Sequence, residues 1–473
     1  MKIFSVFTAF SAILSCTAVV SAQSNPDPIG TIYDGHVPAN LYGSSYPYPW
    51  PVKLFNFYNQ RQKLTMAFMD IPARKHNKHK KTAVLLHGGN FCGVTWSDTA
   101  RQLSAAGYRV ILPDDIGFCK SSKPQGYSYN VQQQALNIHS LLTALGIDRA
   151  TIIGHSMGGM IAARYGLMYP DNVQQLFLVN PLGLEDWVAK GVPYLSIDAS
   201  YESGVVSNFT TLKAYEHANY FPNAPWKPEY DAWVHMLADI YAGDYGSEYS
   251  YVMALVTDTL LSQPVIYQLP LLQTRTYLLV GDSDVSALGK AWSSPDVAAK
   301  LGHYHELGPA AAAMIPNCKL HMFAGLGHAP FLQDPKAFYD ARQELVKGYD
   351  KAKDILRQGS TEDSQEALKG VERGGWMMLA DLEETETSLV AQADDVSEEW
   401  TPEDQMTLLL LMEEESRANI EKARSLLAPY SNSSQARSLR KKIDQADAEK
   451  KRYFQECRDT LLAGGRLEDV EEE

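Results

Sequence analysis

Residues 154–158 read Gly-His-Ser-Met-Gly, a G-x-S-x-G pattern whose central Ser156 is a candidate nucleophile. An apolar run at 150–153 precedes it, and a helix-like stretch at 159–165 follows it. Strand, sharp turn and helix form the context in which a serine hydroxyl is held above the edge of a sheet. The flanking glycines let strand and helix approach while the serine adopts a strained backbone. The pattern therefore predicts that Ser156 attacks a carbonyl carbon.

A serine nucleophile needs a general base and an acid that orients the base. The run 275–281 predicts a buried strand ending in glycine, and Asp282 and Asp284 follow it. A later strand, predicted at 319–323, leads into a loop that contains His328. The order serine, acid, histidine suits a nucleophile on a strand–turn–helix unit. We expect His328 to be the base and Asp284 the acid, because one further turn of loop carries Asp284 towards the histidine. Asp282 is the alternative acid.

Acyl transfer also requires backbone N–H groups that already point at the developing oxyanion. The buried run 82–86 leads into His-Gly-Gly-Asn-Phe at 87–91, where adjacent glycines let the backbone come close to a substrate. We expect one donor from Gly89 or Asn90. The other should come from Met157, the residue after the nucleophile.

These landmarks together resemble those of the α/β-hydrolase superfamily. They are His-Gly at 87–88, the segment 113–122 (Pro-Asp-Asp-Ile-Gly-Phe-Cys-Lys-Ser-Ser), the nucleophile turn at 154–158 and Gly-His at 327–328. The resemblance covers about residues 50–348 and is closest to compact serine hydrolases with a helical cap, of esterase or peptidase type. It implies a mostly parallel eight-stranded sheet with helices on both faces and a triad of Ser156, Asp284 and His328. It implies no metal and no organic cofactor. Epoxide hydrolases and haloalkane dehalogenases are similar but use aspartate as nucleophile, so the serine argues against both.

The periodicity supports an α/β fold. The predicted strands are an antiparallel pair at 52–58 and 64–70, followed by runs at 82–86, 109–112, 150–154, 176–180, 276–281 and 319–323 that alternate with helices. Such alternation requires parallel strands with right-handed crossovers, and ligands then bind beyond the carboxyl ends of the strands.

Composition divides the chain into regions. We expect the core at 52–183 and 270–348, with an extended segment rich in Pro and Tyr at 23–51. The interval 184–269 lacks β/α alternation and is crowded with aromatic residues, which predicts a helical cap over an apolar cleft for a small acyl substrate. An acidic helical extension is predicted at 349–473, with a helix starting near 401.

The charge is concentrated in that extension. The net charge is −14, and residues 350–473 carry 30 acidic and 17 basic side chains, so the catalytic region is nearly neutral. No basic stripe predicts a nucleic-acid partner, and the basic run 74–81 is expected to be a solvated loop. The extension carries no catalytic pattern and is a candidate for binding a protein partner.

Residues 1–22 combine a charged start, an apolar run and small residues at the end, which predicts a signal peptide cut after Ala22. An uncleaved membrane anchor is the alternative. No later segment is long and apolar enough to span a bilayer. Secretion makes disulfides and glycans relevant. The remaining cysteines are Cys92, Cys119, Cys318 and Cys457, and the glycosylation sequons lie at Asn208 and Asn432.

Cys92 and Cys119 follow strands whose loops open on the same edge of the sheet, so they are candidates for a disulfide. Two separately buried thiols are the alternative.

The favoured function is a secreted serine hydrolase acting on an ester, amide or related acyl substrate. The alternatives are an acyltransferase, a C–C hydrolase or a haloperoxidase with the same triad, or a non-catalytic ligand-binding protein.

Overall fold

The computed structural model describes residues 30–74, 81–222 and 224–343, together with some helical positions between 441 and 459. The predicted signal peptide at 1–22 and nearly all of the predicted extension at 349–473 therefore lie outside the described residues, as does Asn432. In the described ranges no helix combines the length and apolar character needed to span a bilayer.

The centre of the fold is a nine-stranded sheet with the spatial order β1-β2-β3-β5-β4-β6-β7-β8-β9. Pairing is antiparallel from β1 to β3 and between β3 and β5, and it is parallel across the other strands. The strands are β1 Thr31–Tyr33, β2 Val52–Asn59, β3 Gln62–Ile71, β4 Thr82–Leu86, β5 Arg109–Pro113, β6 Ala150–His155, β7 Val173–Val179, β8 Thr276–Gly281 and β9 Cys318–Phe323. The mostly parallel sheet is confirmed, with one strand more than predicted, because β1 forms in the segment expected to be merely extended.

Strand β5 lies on one side of β4 and strand β6 on the other, so the direction in which strands are added to the sheet reverses after β5. This reversal places the core helices on both faces of the sheet. The core helices are α1 Ser97–Ala105, α2 Val131–Ala144, α3 Met157–Met168, α8 Pro295–Ala298, α9 Tyr304–Met314 and α10 Pro330–Gln333. Right-handed crossovers place α1 on one face and α2 and α3 on the other. The strands β4, β6 and β8 are buried along their whole length, as expected for strands covered on both faces.

Four helices are inserted between β7 and β8: α4 Ile197–Gly204, α5 Phe209–Tyr220, α6 Asp231–Ala242 and α7 Gly246–Ser262. They pack on one another, α4 on α7, α5 on α6 and α6 on α7. Asn208 starts α5 through a capping box, because its side chain accepts the N–H of Thr211 at 3.2 Å while Thr211 Oγ1 accepts the N–H of Asn208 at 2.9 Å. Helix α5 therefore begins after Asn208, and it ends at Tyr220.

Residues 30–51, here called the N-terminal strap, are tied to both the core and the inserted helices. The ammonium group of Lys120 donates to the carbonyl oxygens of Ala39 and Ser44, each at 2.6 Å. The ring of Tyr46 lies 5.8 Å from that of Trp233 on α6, measured between centroids. The strap therefore satisfies a buried cation of the core and packs against the cap at the same time.

Candidate active site

Ser156 lies at the junction of β6 and α3 in a strained turn, with φ 56° and ψ −119°. The strain requires small neighbours: a Cβ atom on Gly154 would lie 2.1 Å from the carbonyl oxygen of Gly158. The backbone N–H of Ser156 donates to Val179 on the adjacent β7 at 3.0 Å. The residue is 4 % exposed, so its hydroxyl is held at the sheet edge beneath surrounding structure.

His328 and Asp284 meet in the loops after β9 and β8. The imidazole Nδ1 lies 2.7 Å from Asp284 Oδ2, and both residues are buried. Because a carboxylate oxygen can only accept, Nδ1 donates its hydrogen to Asp284, and Nε2 is left as the basic nitrogen. His155, the last residue of β6 and the neighbour of the nucleophile, ties the end of that strand to the histidine loop, because its Nε2 donates to the carbonyl oxygen of His328 at 2.8 Å.

The structure distinguishes the two candidate acids by their contacts. Asp284 Oδ2 also accepts the Asn180 amide at 2.8 Å, and Oδ1 accepts the N–H of Ser286 at 2.8 Å. Asp282 instead accepts the N–H of Gly325 at 2.8 Å, three residues before His328. The geometry brings Asp284 to the histidine and uses Asp282 to hold the loop that carries it.

The turn after β4 runs directly beside Ser156. A Cβ atom on Gly88 would lie 3.0 Å from Ser156 Cβ, so the turn could not approach as closely with a larger residue. Met157 is the first residue of α3, and its N–H therefore has no acceptor within the helix. Gly89 faces open space on its Cβ side. The side chain of Asn90 donates to the hydroxyl of Tyr220 at 2.9 Å.

The disulfide between Cys92 and Cys119 joins the turn after β4 to the loop after β5, with the two Cα atoms 5.8 Å apart. Asp114 strengthens this junction, because its carboxylate accepts the N–H of Gly93 at 2.8 Å and that of Lys120 at 3.0 Å. Covalent and charge-assisted bonds thus fix the turn beside Ser156. Of the two readings of these cysteines, the structure contains the bridge.

Two buried carboxyl groups near the site have a raised pKa. Both oxygens of Asp115 are without a hydrogen bond, and burial raises the pKa of its carboxyl to about 6. The nearest cationic candidate is His87, whose Nε2 is 3.8 Å away but already accepts the N–H of Asp115 at 3.0 Å. On α5, burial raises the pKa of Glu216 to about 8, and its Oε1 has no hydrogen-bond partner.

Comparison with known proteins identifies the family. The family model described as alpha/beta hydrolase fold matches residues 82–284. The crystal structure of a probable hydrolytic enzyme from Pseudomonas aeruginosa PAO1 is 45% identical to this chain, covers 65% of this chain and 98% of its own, and superposes with a TM-score of 0.63. The chain belongs to the α/β-hydrolase family.

The curated relatives of this α/β hydrolase include a lipase and a dienoate hydrolase. Lipase 1 of Psychrobacter immobilis is 34% identical over 172 residues, which are 35% of this chain and 52% of the lipase. A 2-hydroxy-6-oxo-6-phenylhexa-2,4-dienoate hydrolase of Burkholderia cepacia is 34% identical over 136 residues, 28% of this chain and 48% of that enzyme. The chain thus spans about half the length of each. These similarities concern the fold and the family, not a particular substrate.

Sequence reasoning about this α/β hydrolase missed two residues of the site. Asn180 follows β7 with φ 40°, and its side chain accepts the N–H of Gly281 at 3.2 Å while donating to Asp284. Its position after a buried strand was the available signal. Tyr220 packs its ring on that of His328 at 4.7 Å, and nothing in the sequence separates it from the other aromatic residues of the cap.

Proposed function

We propose that this α/β hydrolase is a serine hydrolase that cleaves an ester, amide or related acyl substrate through a covalent acyl-enzyme. The observation that carries the proposal is the buried 2.7 Å contact between His328 Nδ1 and Asp284 Oδ2, in a fold that also holds Ser156 in a strained turn at the end of β6. A histidine oriented in this way by a carboxylate has the tautomer that a general base for serine requires.

In the first half of the reaction, Ser156 Oγ attacks the acyl carbon and His328 Nε2 takes the hydroxyl proton. The resulting imidazolium is stabilised by Asp284, which receives hydrogen bonds from both the imidazole and Asn180. His328 then passes the proton to the departing alcohol or amine. The acyl group remains on the serine as an ester.

Negative charge builds up on the former carbonyl oxygen during both addition steps. The N–H of Met157 at the start of α3 is one proposed donor, and the backbone of Gly89 or Asn90 is the other. The disulfide at Cys92 restrains the latter donor. Donors fixed before the reaction need no reorganisation, which is why removing one such donor typically costs about a hundred- to a thousand-fold in rate.

In the second half, water attacks the acyl carbon and gives a proton to His328, which passes it to Ser156 Oγ as the acyl–serine bond breaks and the carboxylic acid leaves. Similarity to a lipase favours carboxylic esters as substrates. Similarity to a dienoate hydrolase supports a second candidate, cleavage of a C–C bond next to a ketone by the same residues. Acyl transfer to an alcohol and haloperoxidase chemistry remain alternatives that use the same triad.

A fluorophosphonate probe tests the proposal. The full chain should be labelled once, at Ser156, as located by peptide mass spectrometry, and Ser156→Ala should not be labelled. A series of p-nitrophenyl esters of increasing chain length should then be hydrolysed by the wild type only. Absence of labelling in the folded protein would instead favour a ligand-binding protein. Labelling with turnover of a vinylogous diketone but of no ester would favour C–C hydrolysis.

We also propose that the protein is secreted after cleavage following Ala22. The Cys92–Cys119 disulfide supports this proposal, because disulfides persist in oxidising compartments. The sequon residue Asn208 is exposed, although its amide group also caps α5. N-terminal sequencing and glycosidase treatment of protein from the culture medium test both points. Retention of the full N-terminus in a membrane fraction would contradict secretion.

A further inference from the structure

Tyr220, the last residue of α5, connects the inserted helices to the turn beside the nucleophile. Its hydroxyl oxygen accepts a hydrogen bond from the side-chain amide of Asn90 at 2.9 Å. Its ring also packs against that of Phe91, with centroids 5.7 Å apart. One cap residue therefore contacts two consecutive residues of the turn that follows β4.

The same tyrosine contacts the proposed base. The N–H of His328 donates to the carbonyl oxygen of Tyr220 at 3.0 Å, and the two rings lie 4.7 Å apart. The approach is so close that a Cβ atom on Gly327 would lie 2.3 Å from that carbonyl oxygen. The end of α5 is thus seated on the histidine loop as well as on the turn.

The contacts of Tyr220 are shielded from water, since the residue is 5 % exposed. Its ring also meets that of Tyr215 edge to face, with centroids 5.7 Å apart. The ring of Tyr220 is held by the neighbouring aromatic rings, so the hydroxyl that accepts from Asn90 has a fixed position. The cap thus holds the side chain of Asn90, while the disulfide and Asp114 hold the following part of the turn.

We infer that Tyr220 is a positioning residue, which holds the oxyanion turn through Asn90 and seats the His328 loop through its carbonyl oxygen. The inference rests on the proposed function and extends it, because the active site is complete only when α5 is seated on the core. The hydroxyl acts on the turn alone, through Asn90, whereas the ring contacts both Phe91 and His328 and the carbonyl oxygen holds the histidine loop. These two roles can be separated experimentally.

Displacement of an oxyanion donor by a fraction of an ångström reduces the rate steeply, whereas ground-state binding is less sensitive. Tyr220→Phe keeps the ring, the carbonyl oxygen and the contact with His328 and removes only the hydroxyl. We expect kcat for a p-nitrophenyl ester to fall about ten- to a hundred-fold, with KM within about twofold of wild type. The affinity for phenylboronic acid, which forms a tetrahedral adduct on the serine, should fall by the same factor as kcat/KM.

Tyr230→Phe is the matched control. It removes a cap hydroxyl from a ring that stacks on Phe221 at 4.1 Å, away from the turn and the histidine. It should leave kcat, KM and boronate affinity unchanged. Asn90→Ala, which keeps the backbone N–H, should reproduce the loss seen in Tyr220→Phe, and the double variant should be no slower than either single variant.

The outcomes separate the inference from the proposed function. If Tyr220→Phe is folded and turns over at the wild-type rate, the positioning role is refuted. The same holds if its kcat falls while boronate affinity is unchanged, or if the losses in the double variant multiply. If the wild type itself is not labelled at Ser156 by the fluorophosphonate, the proposed function fails, whatever Tyr220 does. Labelling of the wild type with slow labelling of Tyr220→Phe supports both.

Discussion

The uncompensated carboxyl of Asp115 should make the protein less stable as the pH rises, and replacing it should remove that dependence. Its folded-state pKa is raised to about 6 from an ordinary value of 3.8, chiefly by burial, with His87 opposing and Asp114 reinforcing the shift. The folded state therefore holds a proton that the unfolded chain has already lost. Stability is highest when both states are protonated and falls as the pH passes from the unfolded to the folded pKa.

The size of the stability change follows from the pKa values of Asp115 in the unfolded and folded states. The free-energy penalty for folding is about 1 kcal/mol at pH 4.5 and about 3 kcal/mol at pH 7.5, where it is nearly complete. Asp115→Asn cannot ionise and escapes this penalty. Its amide hydrogens add a cost of their own that does not change with pH, so only the difference between the two pH values is interpreted. Relative to wild type, the variant should gain about 2 kcal/mol between pH 4.5 and 7.5.

Urea unfolding followed by tryptophan fluorescence at the two pH values measures this difference, provided that the m-value is unchanged. Asp70→Asn is a control, because the pKa of the Asp70 carboxyl is shifted in the opposite direction. Asp70 accepts two hydrogen bonds from Arg109 at 2.9 Å, and its pKa is lowered although burial opposes the shift. Because a lowered pKa changes stability only near and below the ordinary value of 3.8, that variant should differ from wild type by nearly the same amount at the two pH values. If the unfolding free energies of wild type and Asp115→Asn differ by the same amount at both pH values, the reasoning is refuted, because Asp115 must then be solvated or paired in solution.

Three further outcomes are expected. Asp284→Asn should lower kcat by about four orders of magnitude because the histidine tautomer is lost, whereas Asp282→Asn should lower it far less. Steady-state kinetics on an ester measure this ranking, and the reverse order would mean that Asp282 is the acid. Replacing Cys92 and Cys119 by alanine opens a loop of 28 residues and should lower the unfolding free energy by about 3 kcal/mol in urea titrations, an effect that reduction of the wild type should reproduce. Truncation after Tyr349 should leave ester hydrolysis intact, and an inactive or insoluble product would show that the catalytic unit needs the remainder.

The sequence predicted those parts of the site that depend on strand order alone. Ser156 and Asp284 each follow a buried strand and His328 follows the mostly half-buried β9. The carboxyl ends of parallel strands meet at one edge, so topology places all three residues at that edge. The choice between Asp282 and Asp284 depends on which way a short loop turns. Two carboxylates separated by a single residue look alike in sequence, and only the bond to Gly325 shows what the first of them does.

Other features depend on packing that has no sequence period. The three residues of β1 are too few to show alternation, so the strand exists only because β2 offers its edge for pairing. Tyr220 could be identified only by knowing where α5 meets the core, which is a property of the whole cap. The Cys92–Cys119 pairing was an open question for the same reason, since it depends on a distance between loops.

The contacts of the N-terminal strap decide where an expression fragment of this protein can begin. The family match starts at residue 82, yet a chain cut there would lack β1 to β3 and every strap acceptor. Lys120 would lose the carbonyls of Ala39 and Ser44, and Lys123 would lose that of Tyr42 at 2.8 Å. Two ammonium groups would then be left under-bonded beside the disulfide loop, a costly arrangement for buried charge. A fragment made for crystallisation or screening should therefore start upstream of residue 30, and a purification tag is better attached there by a linker than fused directly to the sheet.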